Sequence, residues 1–132
     1  MTNNEPTTSI KASGFLKVNQ NGSEMFNATR INLGIHSSAI EIQGFVNVGF
    51  PEQRYFRLLI DSDTLGGEQE YVAGGKLNFV YYHREGQTIG ADKGTFNANL
   101  DNVSRRYKLT FKLQFIGIGE LDGEIDVTPL IA

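Results

Sequence analysis

Tyr82-His83-Arg84-Glu85 sets an aromatic ring, an imidazole, a guanidinium and a carboxylate in succession, at the end of the β-prone run Leu77 to Tyr82. A flat ring beside a forked donor suits sugars, carboxylates and protein surfaces. Binding loops also grow at strand ends. The run holds no positioned nucleophile or base of the kind turnover needs. Tyr82, His83 and Arg84 are therefore the candidate ligand-binding residues, and no residue is assigned a catalytic role.

Other polar groups suggest less. Asp61-Ser62-Asp63-Thr64-Leu65-Gly66 looks like the opening of a calcium loop, with Glu68 nearby. A hard cation needs oxygen ligands at alternate positions and a bidentate acid at the twelfth. Leu65 and Val72 occupy two of those places, so a polar turn fits better and no metal is expected. His36 and His83 lie far apart in the chain and lack ligand spacing. Ser9, Ser13, Ser23, Ser37, Ser38, Ser62 and Ser104 sit in no nucleophile elbow. Ala73-Gly74-Gly75-Lys76 lacks the spacing of a phosphate loop. No cofactor is implied. Arg105-Arg106 reads as a solvated pair at a hairpin end. Asn21, Asn27 and Asn102 each open a glycosylation sequon and read more simply as turn residues. Tyr55, Tyr71, Tyr81 and Tyr82 offer flat faces with polar tips. The absence of Trp counts against a sugar platform.

The elements that must carry these groups are strands. From Tyr107 to Phe115 apolar residues alternate with Lys108, Thr110, Lys112 and Gln114. Phe96, Ala98 and Leu100 repeat the pattern before the polar loop at 101–106. A period of two puts one face in a core and the other in water. Similar alternation runs through Ile10 to Val18, Ile31 to Ile35, Ile40 to Val48 and Tyr55 to Ile60. It returns in Leu77–Phe79–Tyr81, with Val80 and Tyr82 facing the other way, and in Leu121 to Val127. Asn21-Gly22 is a type I′ hairpin signal. His83 to Gly86 reads as a turn, Ile116 to Gly119 as a bulge or bend, and Glu70 to Val72 as a short edge strand. Phe45, Leu59 and Val80 break the expected phase. No stretch has helical periodicity over three turns.

Length and composition set the bounds. The 132 residues read as one all-β domain at 9–132 behind a flexible polar tail at 1–8. A net charge of −3 offers no attraction to nucleic acid, and no apolar run is long enough for a membrane span. With no Cys, thiolate metal sites and disulfides are excluded. The N-terminal residues show no signal peptide, so a cytoplasmic location is expected.

These observations lead to an antiparallel β-sandwich of about nine or ten short strands, with a closed β-barrel as the alternative. The expected function is a non-enzymatic module that holds a glycan or protein with loops at one end. Two alternatives remain. One is a structural subunit that self-assembles, with Phe45, Leu59 and Val80 on its oligomer face. The other is a barrel that carries a small apolar ligand.

Overall fold

The strands expected from alternation are present in a computed structural model, which describes residues 9–130. The tail at 1–8 lies outside the described residues. In chain order the strands are β1 (Ser9–Gln20), β2 (Ser23–Asn27), β3 (Arg30–Ile35), β4 (Ala39–Val46), β5 (Arg54–Asp61), β6 (Glu68–Glu70), β7 (Leu77–Arg84), β8 (Gln87–Asp101), β9 (Arg106–Phe115) and β10 (Gly119–Pro129). No helix occurs among the described residues.

Every pairing is antiparallel, and the order β1-β3-β4-β5-β7-β8-β9-β10 returns to β1. The ring is an eight-stranded barrel; β2 is attached to β1 and β6 to β8. Of the two architectures open to the sequence, the closed barrel is the one present. The sandwich preference fails because two long strands turn corners between sheets. β1 pairs with β3 through residues 9–11 and with β10 through 12–19. β8 pairs with β7 through 87–90 and with β9 from Ala91 onward. Sheet A is β3, β4, β5 and β7 with the first residues of β1 and β8. Sheet B holds the rest.

Each corner strand has a glycine near its bend. Gly14 has φ +116° and Gly94 has φ +141°, values that L side chains rarely adopt. A Cβ at Gly14 would overlap the Asp126 carbonyl oxygen, and one at Gly94 the Lys112 carbonyl oxygen. Glycine lets both strands bend hard against their neighbours, and such kinks close barrels.

The interior is filled by side chains from both sheets. Phe56 on β5 meets Phe115 on β9 edge-on, with centroids 6.1 Å apart, and stacks on Tyr82 at 4.5 Å. Leu16 occupies the slot left by Gly44, where a Cβ would lie 2.8 Å from Leu16 Cδ1. The Phe111 ring likewise fills the space beside Gly123. Burying each such aliphatic or aromatic side chain contributes about 1.5–3 kcal/mol.

One phase assignment changes. In β7, Leu59 pairs with Phe79 but Ile60 pairs with Leu77, so Asn78 is an extra residue. Its amide donates to Asp61 Oδ1 at 3.1 Å and the Gly75 carbonyl at 2.6 Å, which holds the bulge. Beyond it Val80 and Tyr82 point inward with Leu77, whereas Phe79, Tyr81 and His83 point outward. Val80 is buried and takes no part in an outer face. Of the bulge or bend expected at Ile116 to Gly119, the bend is present: residues 116–118 turn the chain from β9 into β10.

Candidate functional site

Tyr82, His83 and Arg84 belong to a strand, not a loop. They pair with Ile89, Thr88 and Gln87, and the turn is confined to Glu85-Gly86, both at positive φ. Alternation then separates the three. Tyr82 is 1% exposed, with its ring among Phe26 and Phe56. Its hydroxyl accepts a bond from Arg54 Nη1 at 3.2 Å, and the same nitrogen donates to the Met25 carbonyl at 3.0 Å. Arg54 thereby ties β2 to the rest of the barrel. The Arg84 guanidinium lies 6.0 Å from the centroid of the Tyr82 ring. His83 points the other way, stacked on Tyr55, with Nδ1 2.8 Å from the Thr88 hydroxyl. The three residues do not converge on one ligand, and the Tyr82 face is not open to one.

What does converge lies on the outside of sheet A. One cross-strand row runs Arg30, Phe45, Tyr55, His83 and Thr88. The next runs Asn32, Gln43, Arg57, Tyr81 and Gly90, and a third Gly34, Glu41, Leu59 and Phe79. Phe45 leans on Tyr55 at 5.6 Å, and Tyr55 stacks on His83. Tyr81 stacks on Phe79 at 4.5 Å and its ring covers Gly90, whose bare Cα makes room for it. The Arg57 guanidinium lies over Phe79 at 5.2 Å, and its Nε donates to Glu41. Glu41 also has the His36 imidazole 3.7 Å away. These rings are half-buried against each other, so their faces are partly occupied. Beyond the first row, the β4–β5 hairpin exposes Val48 and Phe50, the latter by 64%.

Phe45 and Leu59 were visible in the sequence as apolar residues on a nominally wet face, and Tyr55 as a tyrosine in phase with Leu59. What sequence reasoning missed is the pair Phe79 and Tyr81, which it set in phase with the buried Leu77. The bulge at Asn78 that turns them outward leaves no periodicity signal.

The outer face of sheet B is different. Its rows include Lys17, Glu124, Thr110 and Asn97, then Asn19, Asp122, Lys112 and Thr95. They floor an open groove of about 590 Å³ on the barrel's exterior. Phe15 is the aromatic ring of this face, half-buried beneath the Lys17 ammonium. Arg106 forks onto Asp126 at 3.1 and 2.9 Å, and that bond holds the Asp126 carboxyl below the ordinary carboxylate range. Arg105 sits in the β8–β9 turn at φ +62°, so the two arginines do not act as a pair.

The remaining sequence candidates are scattered. Asp63 bonds Lys76 at 2.9 Å, which lowers its pKa, and Asp61 lies 4.0 Å from the same ammonium. Glu68 lines the sheet B groove instead. No His, Cys, Asp and Glu grouping fit to hold a metal occurs among the described residues. His36 and His83 stand at different places on sheet A, His36 beside Glu41 and His83 beside Tyr55. Tyr71 is buried, and desolvation raises its hydroxyl pKa, with Tyr81 adding to the shift. Among the described residues no helix is long and apolar enough to cross a membrane. Comparison with protein-family models, curated proteins and solved structures finds no match to this chain.

Proposed function

We propose that the chain is a non-enzymatic interaction module, and that a protein surface docks on the outer face of sheet A. One observation carries the reading: the two outer faces of one barrel differ in composition. The rows of sheet A bring Phe45, Tyr55, Leu59, Phe79, Tyr81 and His83 outward with Arg30, Arg57 and Glu41, while Lys11 and Asp61 stand at the ends of the rows and strands. Those of sheet B alternate Lys with Asp and Glu around hydroxyls and amides. Enrichment in aromatic residues and Arg with depletion of Lys and Asp is the signature of a protein–protein contact. A face meant only for water needs no such aromatic cluster.

The stacking favours a protein over a glycan. Sugars pack on the open face of a ring, whereas here Tyr55 is paired with His83, and Tyr81 with Phe79. Edges and hydroxyls remain to meet a partner. An apolar-ligand carrier needs an interior chamber, and in this barrel side chains of both sheets meet across the middle. The working surface thus moves from the loops to the strands, with His83 retained from the sequence-based site.

The test replaces Tyr55 and Tyr81 together by Ser and compares partner capture with wild type and with Thr110→Ser on sheet B. The expected result is loss of capture in the sheet A variant alone, at unchanged fold by circular dichroism. Equal capture by all three would overturn the reading.

A further inference from the structure

Charges on the docking face identify its occupant, an inference that rests on the docking reading above. Glu41 and Arg57 lie on neighbouring strands one row apart, and Arg57 bonds Glu41 directly. Gln43, Leu59, Tyr81 and Phe79 flank the pair, the His36 imidazole lies 3.7 Å from Glu41, and Arg30, Lys11 and Asp61 stand toward the edges of the face. A positive and a negative group side by side at the middle of a face rich in aromatic rings form a self-complementary pattern. In an isologous contact residue i meets j and j meets i. A two-fold axis lying in the contact plane and bisecting the line from Glu41 to Arg57 sets each Arg57 against the other copy's Glu41. The in-chain bond then becomes a closed ring of four charges, with no unpaired charge buried.

We propose that this face binds a second copy of the chain, forming a two-fold dimer across β4, β5 and β7 in which Glu41 and Arg57 pair reciprocally. An unrelated acidic or basic partner fits less well. It would have to match a face whose two central charges already cancel. Sheet B cannot offer the same contact, because its outer charges are spread over many rows and its aromatic surface is limited to Phe15. Strand spacing and rise make the sheet A face roughly 20 Å on a side, at the small end of specific interfaces. The dimer is accordingly reversible, with a dissociation constant on the order of micromolar to tens of micromolar.

Sedimentation velocity of the full chain from about 1 µM to about 1 mM tests this across the affinity range that interface size implies. Wild type should pass from monomer to dimer. Arg57→Glu and Glu41→Arg should each set like charges face to face and weaken the dimer on the order of 100-fold. An equimolar mixture of the two variants should restore it, since each then meets its opposite. Far-UV circular dichroism checks their folds, and the wild-type series stands even if a variant fails to fold. A wild-type chain that stays monomeric overturns the proposal, as do folded variants that dimerise unchanged or a mixture that stays apart. The two readings fail differently. A monomeric wild type whose capture of another protein still depends on Tyr55 and Tyr81 removes the dimer and leaves the docking face.

Discussion

Tyr55 and His83 stack across β5 and β7 with ring centroids 4.7 Å apart and planes 8° from parallel, on the outside of the barrel. The neighbouring residues Phe56 and Tyr82 stack at 4.5 Å on the inside. One strand pair thus carries an aromatic couple on each face. The inner couple serves the core, and the outer couple stands on the face proposed for docking.

This division gives opposite mutational signatures. Tyr82→Ala should cost roughly 3–5 kcal/mol by emptying core volume. Tyr82→Phe should cost about 0.5–1.5 kcal/mol, the usual net value of one hydrogen bond, because the ring stays and the bond from Arg54 goes. His83→Ala should cost no more than about 1 kcal/mol, the size of a cross-strand pair. Urea unfolding of the three variants checks the order. Equal losses at 82 and 83 would mean that both faces are buried.

Phe111 and Gly123 should be coupled. Phe111→Ala removes a buried ring at a cost of roughly 3–5 kcal/mol, and Gly123→Ala pushes a methyl into that ring at roughly 1–3 kcal/mol. With the ring gone the methyl has room, so the double variant should fall short of the sum by about 1 kcal/mol or more. A double-mutant cycle measures the difference, and strict additivity would contradict the packing described.

The barrel corners should be intolerant of side chains. Gly14→Ala and Gly94→Ala each force a Cβ into a backbone carbonyl at a φ that L residues rarely adopt. A strain-free Gly→Ala change stabilises by about 0.4–1 kcal/mol, whereas each of these should destabilise by more than that amount. Thermal melts report the loss. Tolerance at both sites would argue that the ring is not closed as described.

Stability should fall in acid, for reasons found on sheet B and in the loops. Bonds from Arg106 to Asp126, from Lys76 to Asp63, and from the Ser104 and Val103 amides to Asp101 hold all three carboxyls below their ordinary range. The unfolded chain then takes up protons first as pH drops, so stability rises with pH across this window. The contribution is complete above the unfolded value of about 4 and disappears as pH falls through the folded values. Urea midpoints at neutral pH and at about pH 3 should differ, and Asp126→Asn should shrink that difference. A midpoint unchanged by acid would remove these bonds from the account.

Much of this architecture was legible in the sequence. Alternation in Tyr107–Phe115 and Ile40–Val48 named core residues, except that Val48 lies beyond the strand end and is exposed, and Asn21-Gly22 named its turn. Barrel closure was not legible, because a period of two describes a sandwich face and a barrel wall equally well. What separates them is the path of β1 and β8 around Gly14 and Gly94, and glycine at a bend reads like glycine anywhere in a strand. The candidate site was half legible. Phe45 and Leu59 stood out by breaking phase. Phe79 and Val80 exchanged places because Asn78 is stored in a bulge held by Asp61 and Gly75, contacts that only the folded chain makes.

The docking face is tested most directly by a photo-crosslinking amino acid placed at Tyr81 on sheet A and, separately, at Thr110 on sheet B, in the full chain. The account predicts a discrete protein adduct from position 81 and none from position 110, with an adduct of twice the chain's mass if the partner is a second copy. Adducts from position 110 alone, or equally from both, would contradict it.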